Sequence, residues 1–527
     1  MKVPENARYT GPLFTAAFGA LGMLLLSPCS NAGDWRVLPR LSLSETYTDN
    51  VRLGGGGRGD FVTQINPGIV IRGQARRYNV SVDYTMNNLI YAENSNFNRI
   101  RNQLNAIATG ELIEDLFFID GRASIMQQNL TLFGPQAVNN VNATGNRTDV
   151  RTMSISPYLR HRFGSVATGE VRYLHNELSS SNSIANSSAD AYSANINSGE
   201  AFRILNWGLN YSNQMIHFDQ TNRTAELERA SANLRYTVTP QFALTGLGGY
   251  ERNSFVSIRG HPSSPVWTIG FLWQPTERTN IAFSGGQRFF GDTYNALASH
   301  RTRLTVWDAS YDEAVTTFNQ QAGGFGGGGF GGFGGGGFGA GFNQLITAQN
   351  PGIDPALIQQ GSAALLGMGL SGSFFDPTNF LSNRLFLQKR FQASFALNGL
   401  RNTFVLRVFN MTRQALSPEL ADVGLVAPAA ISLQNHTRQT GGNLLWSYRI
   451  SQFSRANFNF GYTRFSFLNS SRDDDLMLAS FSVVKQLLQT RPNLFAAVEA
   501  RHNRRESNQP GGDYRENAVT ASLNMSF

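Results

Sequence analysis

The residues that could catalyse a reaction or bind a metal are scattered along this sequence. Its seven histidines stand alone, without a partner at the His-x-x-x-His spacing that a zinc site on a helix requires. They are His161, His175, His217, His261, His300, His436 and His502. A serine and a histidine could form a nucleophilic pair on one wall of a fold, but no motif marks such a pair. The sequence therefore predicts a protein that is not an enzyme, with no catalytic, cofactor-binding or metal-binding residue and no cofactor.

One acidic run, Asp473-Asp474-Asp475, could in principle bind a divalent cation, because Ca²⁺ and Mg²⁺ prefer carboxylate oxygens as ligands. The run lacks the spaced oxygen ligands and the turn glycine of a calcium-binding loop. A solvated acidic stretch in an outer loop is therefore the favoured interpretation.

A set of arginines falls on the polar side of segments in which polar and apolar residues alternate. Its members are Arg172, Arg235, Arg407, Arg455 and Arg501. These guanidinium groups could attract an anionic solute, but pairing with carboxylates such as Glu170 and Glu499 is favoured. The sequence has no concentrated basic patch, so nucleic acid is not expected as a partner.

The elements that carry these residues are strands. At the end of the chain, apolar residues occupy every second position (Val519, Ala521, Leu523, Met525 and Phe527), with small or polar residues between them. Alternation with period two gives a strand one apolar and one polar face. A terminal aromatic residue on such a strand resembles the sorting signal of outer-membrane barrels, so Phe527 predicts the barrel-assembly machinery as a partner.

The same alternation recurs in about twenty segments, among them Val80–Met86, Leu104–Gly110, Ala230–Val238 and Phe404–Val408. Only 15% of the residues are charged, against about 25% in soluble domains. No apolar run beyond the start of the chain approaches the roughly 20 residues of a membrane helix. We predict an all-β fold, a transmembrane antiparallel up-and-down β-barrel of about 22 strands (roughly 18 to 22), whose apolar faces contact lipid.

The first 32 residues read as a signal peptide. Lys2 and Arg8 precede the apolar run Leu13–Leu26, and Ser30-Asn31-Ala32 offers a cleavage site. A lipoprotein acylated at Cys29 is the alternative, which the neighbouring proline disfavours. Cleavage after Ala32 would leave residues 33–527 as a barrel without cysteine, in the outer membrane of a Gram-negative bacterium.

Short and long connections alternate along the chain, as expected for short periplasmic turns and long external loops. The predicted long loops include Asn129–Thr148, Gly291–His300 and Met411–Leu433. When the predicted strands are counted from both ends of the chain, the strands on the two sides of the insert 312–383 run in the same direction, which an up-and-down barrel does not allow. We therefore predict a further strand hidden within Asp312–Asn383, and the alternative is an insert that threads the lumen.

The insert contains a glycine and phenylalanine tract, Gly323–Phe342, that lacks the Lys and Ser/Thr of a phosphate-binding loop. A flexible loop is the favoured interpretation, and a gate or a partial plug is the alternative. Farther on, Ile353–Leu366 is predicted as a short helix, because Asp354 can cap it and Pro355 suits its first turn.

Several short segments, in order along the mature chain, are similar to those of a known family. They are Trp35–Pro39, Glu45–Asn50, Asn66–Gly68, Glu111–Leu112, Ile155–Tyr158, Gly249–Glu251, Trp273–Thr279 and Arg288–Gly291. The chain thus resembles the PEP-CTERM system-associated outer-membrane protein family, which is related to barrels of exopolysaccharide loci. The resemblance implies a Gram-negative outer-membrane barrel found beside exosortase and exopolysaccharide genes. It implies no catalytic residues.

The main functional expectation is a non-enzymatic barrel that serves the export of exopolysaccharide or surface proteins. The expected partners are outer-membrane lipid, lipopolysaccharide, exopolysaccharide and proteins of the export system. One alternative is a general or solute-specific porin, and another is a surface scaffold or adhesin that presents its long loops. A TonB-dependent receptor is disfavoured, because no long plug domain precedes the first predicted strand.

Overall fold

The computed structural model describes residues 33–181, 183, 185–258, 260–322, 380–422, 428–488 and 493–527. These residues form one antiparallel sheet of 22 strands, and pairing of the last strand with the first closes the sheet into a barrel. The strands are Asp34–Thr48 (β1), Asp60–Gln74 (β2), Tyr78–Tyr91 (β3), Arg99–Ile113 (β4), Phe117–Asn129 (β5), Arg147–Phe163 (β6), Ala167–Ser180 (β7), Ser187–Ser198 (β8), Leu205–Phe218 (β9), Arg223–Thr239 (β10), Phe242–Ser254 (β11), Ser264–Thr276 (β12), Thr279–Arg288 (β13), Gly291–Arg301 (β14), Thr305–Thr316 (β15), Phe386–Asn398 (β16), Asn402–Ala415 (β17), His436–Arg449 (β18), Ser454–Phe467 (β19), Arg472–Leu488 (β20), Asn493–Ser507 (β21) and Tyr514–Ser526 (β22). The predicted barrel of 22 strands is confirmed.

Helical segments are short and lie between strands in this part of the chain. They are the 3₁₀ turns Ser95–Phe97, Glu419–Asp422 and Ser432–Gln434 and the helices Phe318–Ala322 (α1) and Pro428–Ile431 (α2). A search of the described residues finds no helix with the length and apolar character needed to cross a membrane. The predicted signal peptide, the Gly323–Phe342 tract and the helix predicted at Ile353–Leu366 all lie outside the described residues.

The connections divide the barrel into two ends. Turns such as 75–77, 114–116 and 302–304 join the strands at one end, which we call the turn end. The connections 49–59 and 130–146 lie at the opposite end, which we call the loop end, and the connections 317–385 and 416–435 leave and rejoin their strands at that end. The first and last strands begin and finish at the turn end, so the expected alternation of short and long connections is confirmed for most of the barrel.

Two predictions about the connections were wrong. Gly291–His300, predicted as a long loop, belongs to strand β14, which follows a two-residue turn at Phe289 and Phe290. β15 is paired directly with β16 from Thr305 to Thr316, so no strand of the insert lies between them. The strand missing from the sequence count is therefore β14. Its outward side chains, which are Asp292, Tyr294, Ala296, Ala298 and His300, are too mixed in size and polarity to show a clear alternation.

Alternate residues of each strand point to opposite sides of the barrel wall, and packing identifies the inner side. Val62 of β2 and Leu89 of β3 share one buried cluster with Val141 of the β5–β6 connection. Only side chains that point into the barrel can meet in this way. Their sequence neighbours Phe61 and Ile90 point outward and are 50% and 46% exposed.

The outward face is an apolar band that runs around the barrel. Its exposed side chains include Leu43, Val171, Leu209, Leu234, Tyr236, Val238, Ile269, Trp307, Leu406, Val408, Val498, Val519 and Leu523. A continuous apolar surface of this extent would drive association in water, whereas lipid chains cover it in a membrane. The predicted outward orientation of the apolar faces is confirmed for these strands, including the terminal strand β22, and their contact with lipid stays a prediction.

The lipid-facing band gives a first prediction. Ile269, in the middle of β12, points outward and is 66% exposed. We expect Ile269→Arg to lower the free energy of unfolding by about 2–4 kcal/mol, because a guanidinium near the bilayer midplane loses its hydration. Thr268→Arg is the matched control, since Thr268 points into the lumen opposite Gly286. Equal losses for the two variants in urea titrations of the protein in lipid vesicles would contradict the assigned orientation.

Candidate functional site

The inner face of the barrel changes character along its axis. In the half nearest the turn end it carries arginine and carboxylate side chains that line the lumen. Toward the loop end it carries buried ion pairs, such as Arg288–Glu251 and Arg501–Glu516, together with apolar side chains that pack against inward-folded connections. The first half offers a charged, wettable wall, and the second narrows the mouth. Together they form the candidate site for passage or binding of a solute.

A charged network on β5, β6 and β7 lines the wall of the turn-end half. Arg172 donates to Asp120 (Nη1 to Oδ2, 2.8 Å) and to Glu170 (Nε to Oε1, 3.0 Å). Arg160 donates to the second oxygen of Glu170 (Nη2 to Oε2, 2.7 Å). The predicted pairing of the lumenal arginines with carboxylates such as Glu170 is confirmed for Arg172. The contact of Arg172 with Asp120 was not predicted, because it depends on the register of neighbouring strands.

Two aromatic rings support this network. Phe118 and Tyr158 are stacked, with ring centroids 5.0 Å apart and an interplanar angle of 14°. The Arg172 guanidinium lies 3.7 Å from the centre of the Tyr158 ring, and that of Arg160 lies 5.4 Å from it. Cation–π contacts of this kind hold guanidinium groups in fixed positions on the wall. The charges therefore face the lumen as an ordered array.

Arginines outnumber carboxylates on the inward positions of the turn-end half. The arginines are Arg36, Arg40, Arg72, Arg122, Arg160, Arg162, Arg172, Arg235, Arg301, Arg407, Arg449 and Arg455. The carboxylates are Asp34, Asp83, Glu111, Asp120, Glu170, Asp308 and Glu499. The predicted lumenal placement of Arg235, Arg407 and Arg455 is confirmed by strand register. Such a wall has a positive potential, which attracts anions.

The remaining predicted arginine lies nearer the loop end. Arg501 of β21 is buried between Glu499 (3.9 Å) and Glu516 of β22 (3.0 Å). Glu516 also accepts hydrogen bonds from Thr48 (2.9 Å) and Asn142 (2.7 Å). The pairing with Glu499 was predicted. The shorter contact with Glu516 is new, and it ties the β5–β6 connection to the wall.

The acidic run Asp473-Asp474-Asp475 lies in strand β20, so its predicted place in an outer loop was wrong. Asp474 points inward and pairs with Arg472 (2.9 Å) and Arg505 (2.7 Å). Asp475 points outward and accepts from Arg464 (2.7 Å). Two of the three carboxylates are thus neutralised by guanidinium groups on opposite sides of the wall, an arrangement that does not form one cation site.

The β5–β6 connection folds into the mouth and is anchored to β21 and β22, several strands away around the barrel. Buried Arg505 donates to the backbone oxygen of Leu132 (3.0 Å) and also to that of Gly134. Tyr514 donates to the backbone oxygen of Gln136 (3.2 Å). Leu132 and Ala137 pack in an apolar cluster with residues of β16, β17, β19, β20 and β22. The connection therefore crosses part of the lumen and narrows it.

A second group of connections closes on the first. Arg384, after the insert, donates from Nε (3.1 Å) and Nη2 (2.9 Å) to the backbone oxygen of Ser417 in the β17–β18 connection. Asp422 of that connection accepts from Ser382 Oγ (2.9 Å) and from the Asn383 backbone N–H (2.7 Å). These polar contacts join the end of the insert to the β17–β18 connection inside the mouth.

Burial makes one of these contacts sensitive to pH. It raises the pKa of Asp422 to about 6, although Arg384 and the hydrogen bonds from Asn383 and Ser382 act in the opposite direction. When the connections separate, the carboxyl is solvated and regains its usual pKa of about 3.9. The closed mouth therefore binds the proton more tightly than the open mouth does. Lowering the pH through 6 stabilises the closed arrangement.

We expect the conductance of the barrel to fall as the pH drops from about 7 to about 5, because protonation removes the cost of burying the Asp422 charge. Asp422→Asn, which cannot ionise, should show a flat profile over this range. Single-channel recording at each pH measures the effect. If Asp422→Asn showed the same pH dependence of conductance as the wild type, Asp422 would not be the group that controls it.

The sequence missed the apolar residues that point inward near the loop end. They include Val62, Leu89, Phe465, Phe467 and Leu476. These residues occupy the polar face of their strands, so a strict alternation rule predicts charged or polar side chains there. A run in which both faces become apolar at one end of a strand is the sequence signal for contact with an inward-folded loop.

Comparisons with known proteins show a remote likeness in fold and nothing closer. No family model matches the sequence, and no curated protein matches it. The solved structures that are similar include the siderophore receptor PirA from Pseudomonas aeruginosa, with 9% identity, a TM-score of 0.45, and coverage of 93% of this chain and 80% of that one. At these values the likeness supports no argument about function.

Two further structures are similar at the same level. The FrpB iron transporter from Neisseria meningitidis has 11% identity and a TM-score of 0.48, with 96% of this chain and 82% of that chain covered. OccK2 (OpdF) from Pseudomonas aeruginosa has 7% identity and a TM-score of 0.36, with 94% and 98% covered. The assignment of function therefore depends on the geometry of the lumen and its mouth.

Proposed function

We propose that this chain is a porin-type channel of the Gram-negative outer membrane that favours small anionic solutes. In this proposal the loop end faces the cell surface and the turn end faces the periplasm, as in other barrels with short periplasmic turns. The observation that carries the proposal is the excess of arginine over carboxylate on the inward positions of the turn-end half. Arginine-lined walls are the usual means by which pores prefer anions.

The dimensions and the mouth agree with this function. A barrel of 22 strands has a lumen wider than small solutes require, so the permeable size is set by what occupies the lumen. The β5–β6 connection and the ends of the connections around Arg384 and Asp422 narrow it at the loop end. A narrowed mouth above a basic wall selects first by size and then by charge.

The export function implied by the family resemblance would use the same route. A polymer chain would have to separate the apolar clusters that join the connections at the mouth, including the one around Leu132 and Phe380. A small solute needs only the space between them. We therefore place the porin function first and keep polymer export as the competing proposal, which the same measurement tests.

Proteoliposomes loaded with the purified barrel separate these functions. Glucose, gluconate and glucosamine have almost the same size but are neutral, anionic and cationic. We expect the rate of uptake to be highest for gluconate and lowest for glucosamine, with dextran excluded. Rapid dextran passage would support polymer export instead. Absence of uptake for all three sugars would contradict the channel and favour a scaffold function.

A further inference from the structure

The wall of the barrel has a break between β14 and β15. The two strands are paired from Arg301↔Val306 up to Ala296↔Tyr311, and the pairing stops there. Both strands continue toward the loop end, β14 back to Gly291 and β15 on to Thr316. Asn295 and Asp312 would be the next pair in register. From this point toward the loop end, β14 is paired only with β13, and β15 is paired only with β16.

The break arises because the upper part of the β15–β16 hairpin, which is the part nearest the loop end, bends into the lumen. In its lower part Trp307 and Phe395 point outward, and alternation would place Val315 and Leu387 on the same face. Both instead pack in a cluster with inward-pointing residues of β9 and β10, which are Ile216, Phe218, Ala225 and Leu227. The face that contacts lipid in the lower half thus contacts the inner wall in the upper half.

Contacts of helix α1 place the tip of this hairpin well inside the barrel. Asn319 Nδ2 donates to Ser187 Oγ of β8 (2.9 Å), and Asn176 Nδ2 of β7 donates to Asn319 Oδ1 (2.8 Å). Gln320 Nε2 donates to Gln214 Oε1 of β9 (2.6 Å). Since β7, β8 and β9 are separated from β15 by several strands, the hairpin tip reaches across the lumen.

The gap is filled by apolar and aromatic side chains. Phe289 and Phe290, in the β13–β14 turn, and Phe255, after β11, pack on the same cluster as Val315 and Leu387. Phe289 contacts Phe255 and Phe290 edge to face, with centroid distances of 6.4 Å and 5.3 Å. A hydrogen bond from Ile258 N–H to the Leu416 oxygen (2.9 Å) spans the top of the gap. These side chains close the part of the opening nearest the loop end. At its other end the buried carboxylate of Glu313 pairs with Lys389 (3.0 Å) and accepts a hydrogen bond from Tyr311 (2.5 Å).

A groove on the outer wall lies directly below this opening. It has a volume of about 380 Å³ and crosses β13 to β17. Its apolar lining comprises Ile281, Ala298, Trp307, Ala309, Phe395, Leu406 and Val408. Ala296 and Tyr311 are the last residues paired between β14 and β15. Ala298 and Ala309 form the next outward-pointing pair toward the turn end. The small alanines form the floor, and the groove leads to the lower edge of the opening.

We propose that the β14–β15 opening is a lateral port through which the alkyl chain of an amphipathic molecule passes between the lumen and the membrane. The groove around Trp307 and Phe395 binds the alkyl chain on the membrane side. This inference goes beyond the passage of small anions along the barrel axis. It requires only that the seal of Phe289, Phe290, Val315 and Leu387 separates locally.

The chemistry of the path selects this occupant. A polar solute that displaced the aromatic seal would lose its hydration and would find hydrogen-bonding partners only at Tyr311, Glu313 and Lys389 on one edge of the opening. A hydrocarbon chain exchanges one apolar contact for another, so its transfer has little cost. The groove lies on the face that lipid covers, so an alkyl chain reaches it without leaving an apolar environment. The Tyr311–Glu313–Lys389 contacts at the lower edge (2.5 Å and 3.0 Å) offer polar groups near the point where a headgroup would stop.

Fluorescence quenching by lipid tests the port. The only cysteine of the chain is Cys29 in the predicted signal peptide, so a single cysteine can be placed at will. Leu387→Cys and Val315→Cys report on the seal, Phe283→Cys on the ordinary outer wall, and Leu178→Cys on a buried inward residue of β7. Each variant is labelled with a small fluorophore and inserted into vesicles of phospholipid brominated on its acyl chains.

We expect quenching at Leu387→Cys and Val315→Cys to exceed clearly that at Leu178→Cys and to stay below that at Phe283→Cys, because the seal exposes these positions to lipid only when it separates. Quenching at both seal positions as low as at Leu178→Cys would overturn the proposal. Two independent seal positions keep the test valid if one variant does not fold. Protection of Val408→Cys from quenching, together with cross-linked dimers, would show that a second copy covers the groove and would also overturn it. Uptake of gluconate does not enter this test, so its outcome is independent of the porin function.

Discussion

Replacing residues 131–145 with a short Gly-Ser linker is expected to raise the conductance of the barrel severalfold. This segment crosses the lumen because Arg505 and Tyr514 hold its backbone oxygens and Leu132 packs among strands of the opposite wall. Its removal leaves the strands paired, since β5 and β6 are joined from Phe117↔Leu159 to Asn129↔Arg147. The current should rise because a segment that crosses part of the lumen is removed.

A deletion in an exposed loop provides the control. Gly55 and Gly56 lie in the exposed part of the β1–β2 connection and have no close side-chain neighbour. Their removal should leave the conductance of single channels unchanged. If shortening the β5–β6 connection also left it unchanged while the barrel remained folded, the mouth would not be the limiting constriction.

Glu516→Ala is expected to lower the free energy of unfolding by about 3–5 kcal/mol, the usual loss when one partner of a buried ion pair is removed. Arg501 and Glu516 are 2% and 0% exposed, so the variant leaves a buried guanidinium without its nearest carboxylate. The change also removes the acceptor for Thr48 and Asn142. Urea titration followed by the shift in gel migration between folded and unfolded barrels measures the loss.

Glu506→Ala is the matched control for this variant. Glu506 and Arg504 form a pair on the same strand β21, but both side chains point outward and are more than half exposed. Exposed pairs contribute about 0–1 kcal/mol, so this variant should resemble the wild type. Similar losses for the two variants would show that burial does not determine the strength of the Glu516 network.

The sequence was sufficient for the architecture because a barrel strand carries its orientation in its own alternation. Leu234, Tyr236 and Val238 were assigned to the outer face from spacing alone, and the structure places them there. The position of β14 was missed for the converse reason. Its outward residues include Asp292 and Ala298, and its inward residues include Leu297, so neither face is clearly apolar. The two-residue turn before it also lies at the end where long loops were expected.

The candidate site was predictable only within single strands. Glu170 and Arg172 lie two residues apart and therefore share a face, so their contact follows from the sequence. The contacts of Arg172 with Asp120 and of Arg501 with Glu516 join different strands, and they depend on registers that one sequence does not reveal. The inward bend of the β15–β16 hairpin has a similar origin, since it depends on distant partners on β9 and β10.

The most direct test of the central claim, a basic lumen that conducts small anions, is the zero-current potential of the purified barrel in a planar bilayer with a KCl gradient. The excess of inward arginines predicts a potential of the sign that marks preference for Cl⁻ over K⁺. A potential of the opposite sign, or a folded barrel that carries no current even after shortening of the β5–β6 connection, would contradict the claim.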